Sequence, residues 1–477
     1  MILGNRGYSI IKEDLKTVEI GKIRKELSVK PFVNTEYGAP AKPFSIYSES
    51  KNKLYLPRFY GIEKFGSPIE TKLNDGKEID ITFSKELRPL QLPIVDTYLE
   101  CVNTGMGGGG IISVPCGYGK TVLALYILAK LKVKTLVVVH KEFLMSQWKE
   151  RIEEFLPEAR IGRIQGQVTK VENKDIVLGM LQSLSMAEYR DEIFDDFGFV
   201  IYDECHHLGA EVFSRALSKT AFKYLLGLSA TPKRADGLTK VFEWYLGPMV
   251  YSIKKREEET VDVKVIKYYD EDPTYSKPCL NYNGKPNLPT MINNITLFIP
   301  RLNLLISEIK KCLDDGRKIL VLSDRRDHLK NIKVELDKLE GYTSGFYLGG
   351  MKQRDLQETE KANVILGTFS MASEGFDCKY PLNTIFLASP KSNIEQAVGR
   401  ILRQEAQYRT HTPLIVDISD EFSLFAKQTL KRVRFYKKNN YAISYYDTDN
   451  NLIETHIKKS KSKFNSDEPE ELTFIDD

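Results

Sequence analysis

Two short segments carry residue types and spacings suited to a nucleoside triphosphate. The first is Pro115-Cys116-Gly117-Tyr118-Gly119-Lys120-Thr121. Gly117 and Gly119 would let backbone N–H groups approach phosphate oxygens, and a helix starting just after them would add the positive end of its dipole. Lys120 is then placed to reach the β- and γ-phosphates, and the Thr121 hydroxyl to bind Mg²⁺. The full eight-residue form of this loop needs glycine where Val114 stands, so the match is to a shortened form. The second segment is Asp203-Glu204-Cys205-His206. A carboxylate at the end of a buried strand can hold a metal ion, and Glu204 beside it can take a proton from an attacking water. Alone, the first could be a glycine turn with a helix-capping threonine, and the second an acidic pair at a strand end. Together, in this order, they predict triphosphate hydrolysis.

A third group is Gln396-Ala397-Val398-Gly399-Arg400-Ile401-Leu402-Arg403. On a helix, spacings of four and three put Gln396, Arg400 and Arg403 on one face. Two guanidiniums and an amide on one face could meet developing phosphoryl charge; a solvated ion-pair face is the plainer alternative.

The elements that must position these groups show in the pattern of apolar runs. Ile111-Ile112-Ser113-Val114, Thr135 to Val139, Asp175 to Leu178, Phe199 to Tyr202 and Tyr224 to Leu228 alternate with helical stretches. Strands buried on both faces read as continuous apolar runs, and this alternation predicts a parallel α/β sheet over 84–253. The rhythm stops over 254–300, which has charge runs, Pro273, Pro278, Pro286, Pro289 and several asparagines and is expected to be a linker with an irregular insertion. It restarts with Lys318 to Leu322, Asn363 to Leu366, Thr384 to Leu387 and Leu414 to Asp417, giving a second α/β domain over 301–457. Residues 1–83 mix short Tyr/Phe/Ile runs with Gly, Pro and Asn and predict a small strand-rich accessory domain. The tail, 458–477, is first basic and then acidic and is expected to be disordered.

With 477 residues, 42% of them hydrophobic, the chain has material for two or three cores. A net charge of +4 excludes a polycation but not a local basic cleft. The six cysteines lack zinc-site spacing and are read as free thiols of a reducing compartment. The N-terminus lacks the apolar core of a signal peptide, and no apolar stretch approaches the ~20 residues of a membrane span, so a soluble intracellular protein without a membrane partner is expected.

From about Leu87 to Arg403 the sequence resembles the superfamily 2 helicases of the DExH type. The resemblance implies two tandem RecA-like parallel-sheet domains, ATP and Mg²⁺ as cofactors and nucleic acid as partner. Lys120, Asp203, Glu204, Gln396, Arg400 and Arg403 would be catalytic, with the two arginines acting as arginine fingers. Gln91, in Leu87-Arg88-Pro89-Leu90-Gln91, would read adenine. Cys116, Gly117, Tyr118, Gly119, Lys120, Thr121, Gly375 and Asp377 would surround the nucleotide, and Thr121 and Asp203 would hold the metal. His140, Lys141, Gln147, Gln182, Ser323, Arg325, Thr368 and Ser370 would touch nucleic acid. Ser229-Ala230-Thr231 would couple hydrolysis to domain motion. Leu144 and Trp148 could equally be core residues of an amphipathic helix.

Gly227-Leu228-Ser229-Ala230-Thr231-Pro232, then Arg234, Asp236 and Gly237, is similar to the XPB-like branch, although Ala235 replaces an expected acid. The length, and the cysteine in both nucleotide motifs, resemble the helicases of large DNA viruses, including the poxvirus transcript-release group. These likenesses imply a monomeric viral protein of the host cytoplasm or virion, working with the transcription machinery, and favour DNA over RNA. An RNA helicase, a recombination or branch-migration helicase, and a nucleic-acid-binding module with a degenerate ATP site remain alternatives. The basic run from Lys427 to Lys438 could extend the nucleic-acid track or form a solvated helix face.

Overall fold

The computed structural model describes residues 1–32, 42–115, 117–205, 211–230, 237–253, 260–282, 284–374, 376, 378–404 and 406–456. The expected tail, 458–477, lies outside the described residues. The chain falls into two compact units. The first comprises Met1–Glu257 with two later segments, Ser370–Lys379 and Gln396–Arg403; the second comprises Glu258–Phe369, Tyr380–Glu395 and Gln404–Asp477.

The first unit is built on an eight-stranded sheet. Its spatial order is Val168–Lys170, Ile161–Gln165, Ile176–Met180, Thr135–Val139, Phe199–Tyr202, Tyr224–Ser229, Gly108–Ser113, Met249–Ser252, parallel except for the first pair. Residues of Thr135–Val139 divide between faces: Val137 and Val139 join one core cluster, Leu136 and Val138 the other. That two-sided burial is why these strands read as unbroken apolar runs. The helix Lys120–Leu131 covers one face with Leu123, Ala124, Ile127 and Leu128.

The strand Gly108–Ser113 begins three residues before its apolar run. A Cβ at Gly109 would lie 2.3 Å from the Leu246 carbonyl oxygen, and one at Gly110 2.5 Å from Val250. Glycine there permits close packing of neighbouring backbone at the expense of any strand-like sequence signal.

The N-terminal stretch forms a five-stranded sheet, ordered Ser48–Glu49, Lys53–Leu56, Gly7–Ile11, Ile2–Gly4, Glu70–Thr71, with helices Thr17–Glu26 and Arg58–Phe65. It belongs to the first unit and shares a core with it. Tyr8, Leu54 and Tyr60 pack with Leu238 and Val241, and the Tyr245 hydroxyl donates to the Ile46 carbonyl at 2.7 Å. Buried Arg58 donates to the carbonyls of Met106 and Lys223, both at 3.0 Å, and burial lowers its pKa to about 10.

The second unit carries another eight-stranded sheet. Its order is Ser344–Tyr347, Val364–Gly367, Ile319–Leu322, Thr384–Leu387, Leu414–Asp420, Asp262–Tyr268, Ala442–Tyr446, Leu452–His456, parallel except for the last pair. The fold class is thus mixed α/β with two large parallel-dominated, RecA-like sheets and a smaller N-terminal sheet.

The stretch 254–300, expected to be a linker and insertion, supplies an interior strand of this second sheet, Asp262–Tyr268, and the helix Leu288–Leu297. Charged Asp262, Lys264 and Lys267 break the apolar run and hide that strand from the sequence pattern. The basic run from Lys427 to Lys438 lies on the helix Ser423–Lys438, but Arg432 is buried. Its Nε donates to Asp417 at 2.8 Å, and the buried Tyr436 hydroxyl donates to the same carboxylate oxygen. Arg432 and Tyr436 of this run are therefore internal, while Lys427, Lys431, Arg434, Lys437 and Lys438 are exposed.

His328 is buried on the helix Arg326–Leu336, with Nδ1 3.1 Å from the Ser323 hydroxyl. Burial, reinforced by the Arg301 charge, lowers its pKa from 6.5 to about 3. The unfolded chain therefore binds one more proton than the native unit between these pH values. Stability is expected to be full above about pH 6.5 and to fall by up to ~1.4 kcal/mol per pH unit as pH drops towards 3. Denaturant unfolding across pH checks this: His328→Gln should flatten the slope by about one proton.

Candidate active site

In the first unit the phosphate-loop strand and the Asp203 strand are not neighbours; Tyr224–Ser229 runs between them. All three are parallel, so their carboxyl ends share one edge, where open α/β sheets place ligands. Gly117 and Gly119 there have φ of +94° and +78°. A Cβ at Gly119 would stand 2.7 Å from the Gln91 side-chain nitrogen, so both the conformation and the space demand glycine.

The loop is braced from outside. Gln91, 2% exposed, donates to the Tyr118 carbonyl at 2.8 Å and accepts from the Arg88 backbone N–H at 3.0 Å. Arg88 donates to the Gly117 carbonyl at 3.1 Å. The residue expected to read adenine thus spends both ends of its amide on the chain, and its visible task is to prop the loop.

Lys120 opens its helix and places its ammonium 2.7 Å from Glu204 Oε1, both side chains largely buried. Glu204 has φ of +47°, a left-handed conformation uncommon outside glycine and worth ~1–3 kcal/mol of local strain. The Asp203 carboxylate accepts the Glu204 backbone N–H on Oδ1 at 3.0 Å and the Trp148 indole N–H on Oδ2 at 2.9 Å. Burial and the adjacent Glu204 charge push the Asp203 carboxyl above the ordinary range, while the Lys120 charge opposes them. Cys205 is fully buried and burial pushes its thiol far up, so it is an inert core residue.

These groups line one cavity of about 320 Å³. Its walls include Gly117, Gly119, Lys120, Thr121, Asp203 and Glu204, and also Arg400 and Arg403 from the segment Gln396–Arg403 of the same unit. The expected helix beneath those arginines is short: it spans Glu395–Val398, and Arg400 and Ile401 continue as tight turns bonded to Ala397 and Val398. Gly399 follows the last helical residue, consistent with glycine's weakness as a helix former. Arg400 is 7% exposed, and its Nε donates to the Ala372 carbonyl at 2.6 Å. Arg400 and Arg403 meet at the cavity without sharing a helix face, and Gln396 is not among the lining residues.

The comparisons with known proteins bear on what such a cavity serves. Residues 84–234 match the family described as type III restriction enzyme, res subunit. A protein of Acanthamoeba polyphaga mimivirus, named as an ATP-dependent RNA helicase, is 37% identical over 454 residues, covering 92% of this chain and 86% of that protein. This chain belongs to that family of viral ATP-dependent helicases. An African swine fever virus protein, also named as an ATP-dependent RNA helicase, is 27% identical and covers 69% of this chain and 67% of its own length. A protein of invertebrate iridescent virus 6, named as a helicase, is 28% identical over 82% of this chain and 89% of its own length. The chain is accordingly an enzyme, a nucleic-acid-dependent ATPase of the helicase type.

The residues expected to touch nucleic acid are spread over both units of the helicase. In the first, Gln182 donates to the His140 carbonyl at 3.0 Å, which joins two of them, and Lys141 stands at the N-cap position of the helix Glu142–Phe155. Gln147 lines the cavity instead, together with Leu144 and Arg151. Helical spacing from Leu144 and Gln147 could have pointed to Arg151, which the motif reading left out. In the second unit Ser323 has no exposed surface and its hydroxyl accepts the Arg325 N–H at 3.1 Å, so it is held inside the unit and cannot reach a strand. Arg325 donates to the Asn293 side chain and the Pro289 carbonyl, which gives it a structural use. Thr368 is half-buried and Ser370 exposed. Ser229 is fully buried at its strand end and Ala230 half-buried beside it. Cys116, Thr231, Gly375 and Asp377 lie outside the described residues. Phe376, between the last two, lines the cavity and was not foreseen.

Proposed function

We propose that the helicase hydrolyses Mg·ATP in this cavity and uses the turnover to step along duplex DNA, with transcription as its setting. The observation that carries the hydrolytic reading is the convergence of Lys120, Thr121, Asp203, Glu204, Arg400 and Arg403 on one cavity. The oxygen donors Thr121 and Asp203 suit Mg²⁺, which takes one or two protein ligands and completes its shell with phosphates and waters. When bound there, the ion would neutralise phosphate charge. Lys120 would bind the terminal phosphates through donors beyond the one given to Glu204. Glu204 would orient the attacking water and accept its proton. Arg400 and Arg403 would meet charge as it spreads over the transferred group.

Contacts to a nucleic-acid backbone position the strand without reading sequence. Low sequence specificity and steep salt dependence follow for the stepping reaction. DNA is favoured by the likeness of the segment from Gly227 to Gly237 to the XPB-like branch. An RNA track is the second reading, favoured by the names carried by the mimivirus and African swine fever virus relatives.

One experiment separates them: ATP hydrolysis with duplex DNA, single-stranded DNA and RNA at one salt concentration. Duplex DNA is expected to stimulate most. Stimulation by RNA alone would overturn the DNA reading, and hydrolysis unaffected by Lys120→Ala would overturn the site itself.

A further inference from the structure

Trp148 was open to two readings, core residue or nucleic-acid contact. It is 1% exposed on the helix Glu142–Phe155, packed with Leu144, Met145 and Ile152. An indole has one hydrogen-bond donor and no acceptor, and when buried it generally finds a partner. Here the partner is Asp203 Oδ2, at 2.9 Å, on a different element of the same unit. Oδ1 of that carboxylate already accepts the Glu204 backbone N–H at 3.0 Å. The carboxylate plane is therefore held from both oxygens, one by its own chain and one by the helix. The same helix presents Leu144, Gln147 and Arg151 to the cavity wall, and it begins immediately after His140 and Lys141.

We infer that Trp148 is a positioning residue for the cation-holding carboxylate: its indole N–H fixes the orientation of Asp203. This rests on the reading of Asp203 as a Mg²⁺ ligand. Hydrogen bonds to a ligating carboxylate set its orientation, and their loss typically costs about 10–100-fold in metal affinity or activity.

The test uses the full chain. Trp148→Phe keeps an aromatic ring in the core and deletes the donor, while Ile152→Ala removes core volume from the same helix and leaves the donor in place. Thermal melts establish that each variant is folded. The Mg²⁺ concentration for half-maximal ATP hydrolysis is expected to rise about 10–100-fold in Trp148→Phe and to stay near wild type in Ile152→Ala. The second readout needs no turnover. The chain has two tryptophans, Trp148 and Trp244. In a Trp244→Phe background, adding Mg²⁺ with a non-hydrolysable ATP analogue should change Trp148 emission, with a midpoint that follows the Mg²⁺ requirement. An unchanged Mg²⁺ requirement in Trp148→Phe, an equal rise in Ile152→Ala, or silent emission would each overturn the inference. A wild-type enzyme that hydrolyses ATP without any divalent cation would instead remove the metal reading on which it stands.

Discussion

Arg400→Ala is expected to lower kcat for ATP by about 10³–10⁵, the scale on which an arginine finger acts. Arg400 reaches the cavity that also contains Lys120 and Glu204, while its Nε is anchored on the Ala372 carbonyl at 2.6 Å. That anchor fixes the guanidinium plane, so the charge arrives with its orientation already determined. Arg400→Lys keeps a positive charge but loses the planar fork and the anchored Nε, and it should recover little of the rate. Because Arg400 is 7% exposed, truncation also removes a partner from a backbone carbonyl, at a cost of ~1–3 kcal/mol in stability. Steady-state phosphate release with saturating nucleic acid, alongside a thermal melt, separates the two effects. A folded Arg400→Ala variant with near-wild-type kcat would show that this arginine does not meet the transferring phosphate.

Glu204→Gln is expected to lower kcat by about 10²–10⁴, the usual contribution of a positioned general base, with little change in the KM for ATP. Glutamine preserves the side-chain length and leaves an oxygen to accept from Lys120, which lies 2.7 Å from Oε1 in the native pair. The change removes the proton acceptor and spares the phosphate-loop geometry. Single-turnover hydrolysis, combined with calorimetric binding of a non-hydrolysable analogue, measures both quantities. If binding weakened as much as turnover, Glu204 would be a positioning partner of Lys120 and not the base.

The sheet strands were legible because burial on both faces leaves no polar period to confuse them. Thr135–Val139 and Phe199–Tyr202 are examples in which every residue is buried. The strand Asp262–Tyr268 was not legible, because polar positions interrupt an interior strand and a proline-rich stretch follows it. Ser323 and Gln147 show a different limit. Motif position proposes a nucleic-acid contact, but whether a side chain faces solvent, a cavity or the interior of the unit depends on packing that spacing alone does not report. Trp148 shows the same limit from the other side: helical spacing left it open between core and nucleic-acid contact, and nothing local named Asp203 as its acceptor.

By itself the sequence determined the chemistry and its order along the chain. Glycines were required where φ is positive, a lysine and threonine where a helix begins, and an acidic pair where a buried strand ends; each is a local requirement of the backbone, readable from its neighbours. Only the tertiary structure decided which of these groups meet. Lys120 and Glu204 pair through strands that are not adjacent in the sheet, and the segment Gln396–Arg403, remote in sequence, packs in the first unit. Trp148 reaches Asp203 because a helix is seated on that sheet at one particular height. The physical reason is that residue type and period specify which face is buried, whereas distances between distant groups are set by how sheets, helices and close-approaching glycines pack together.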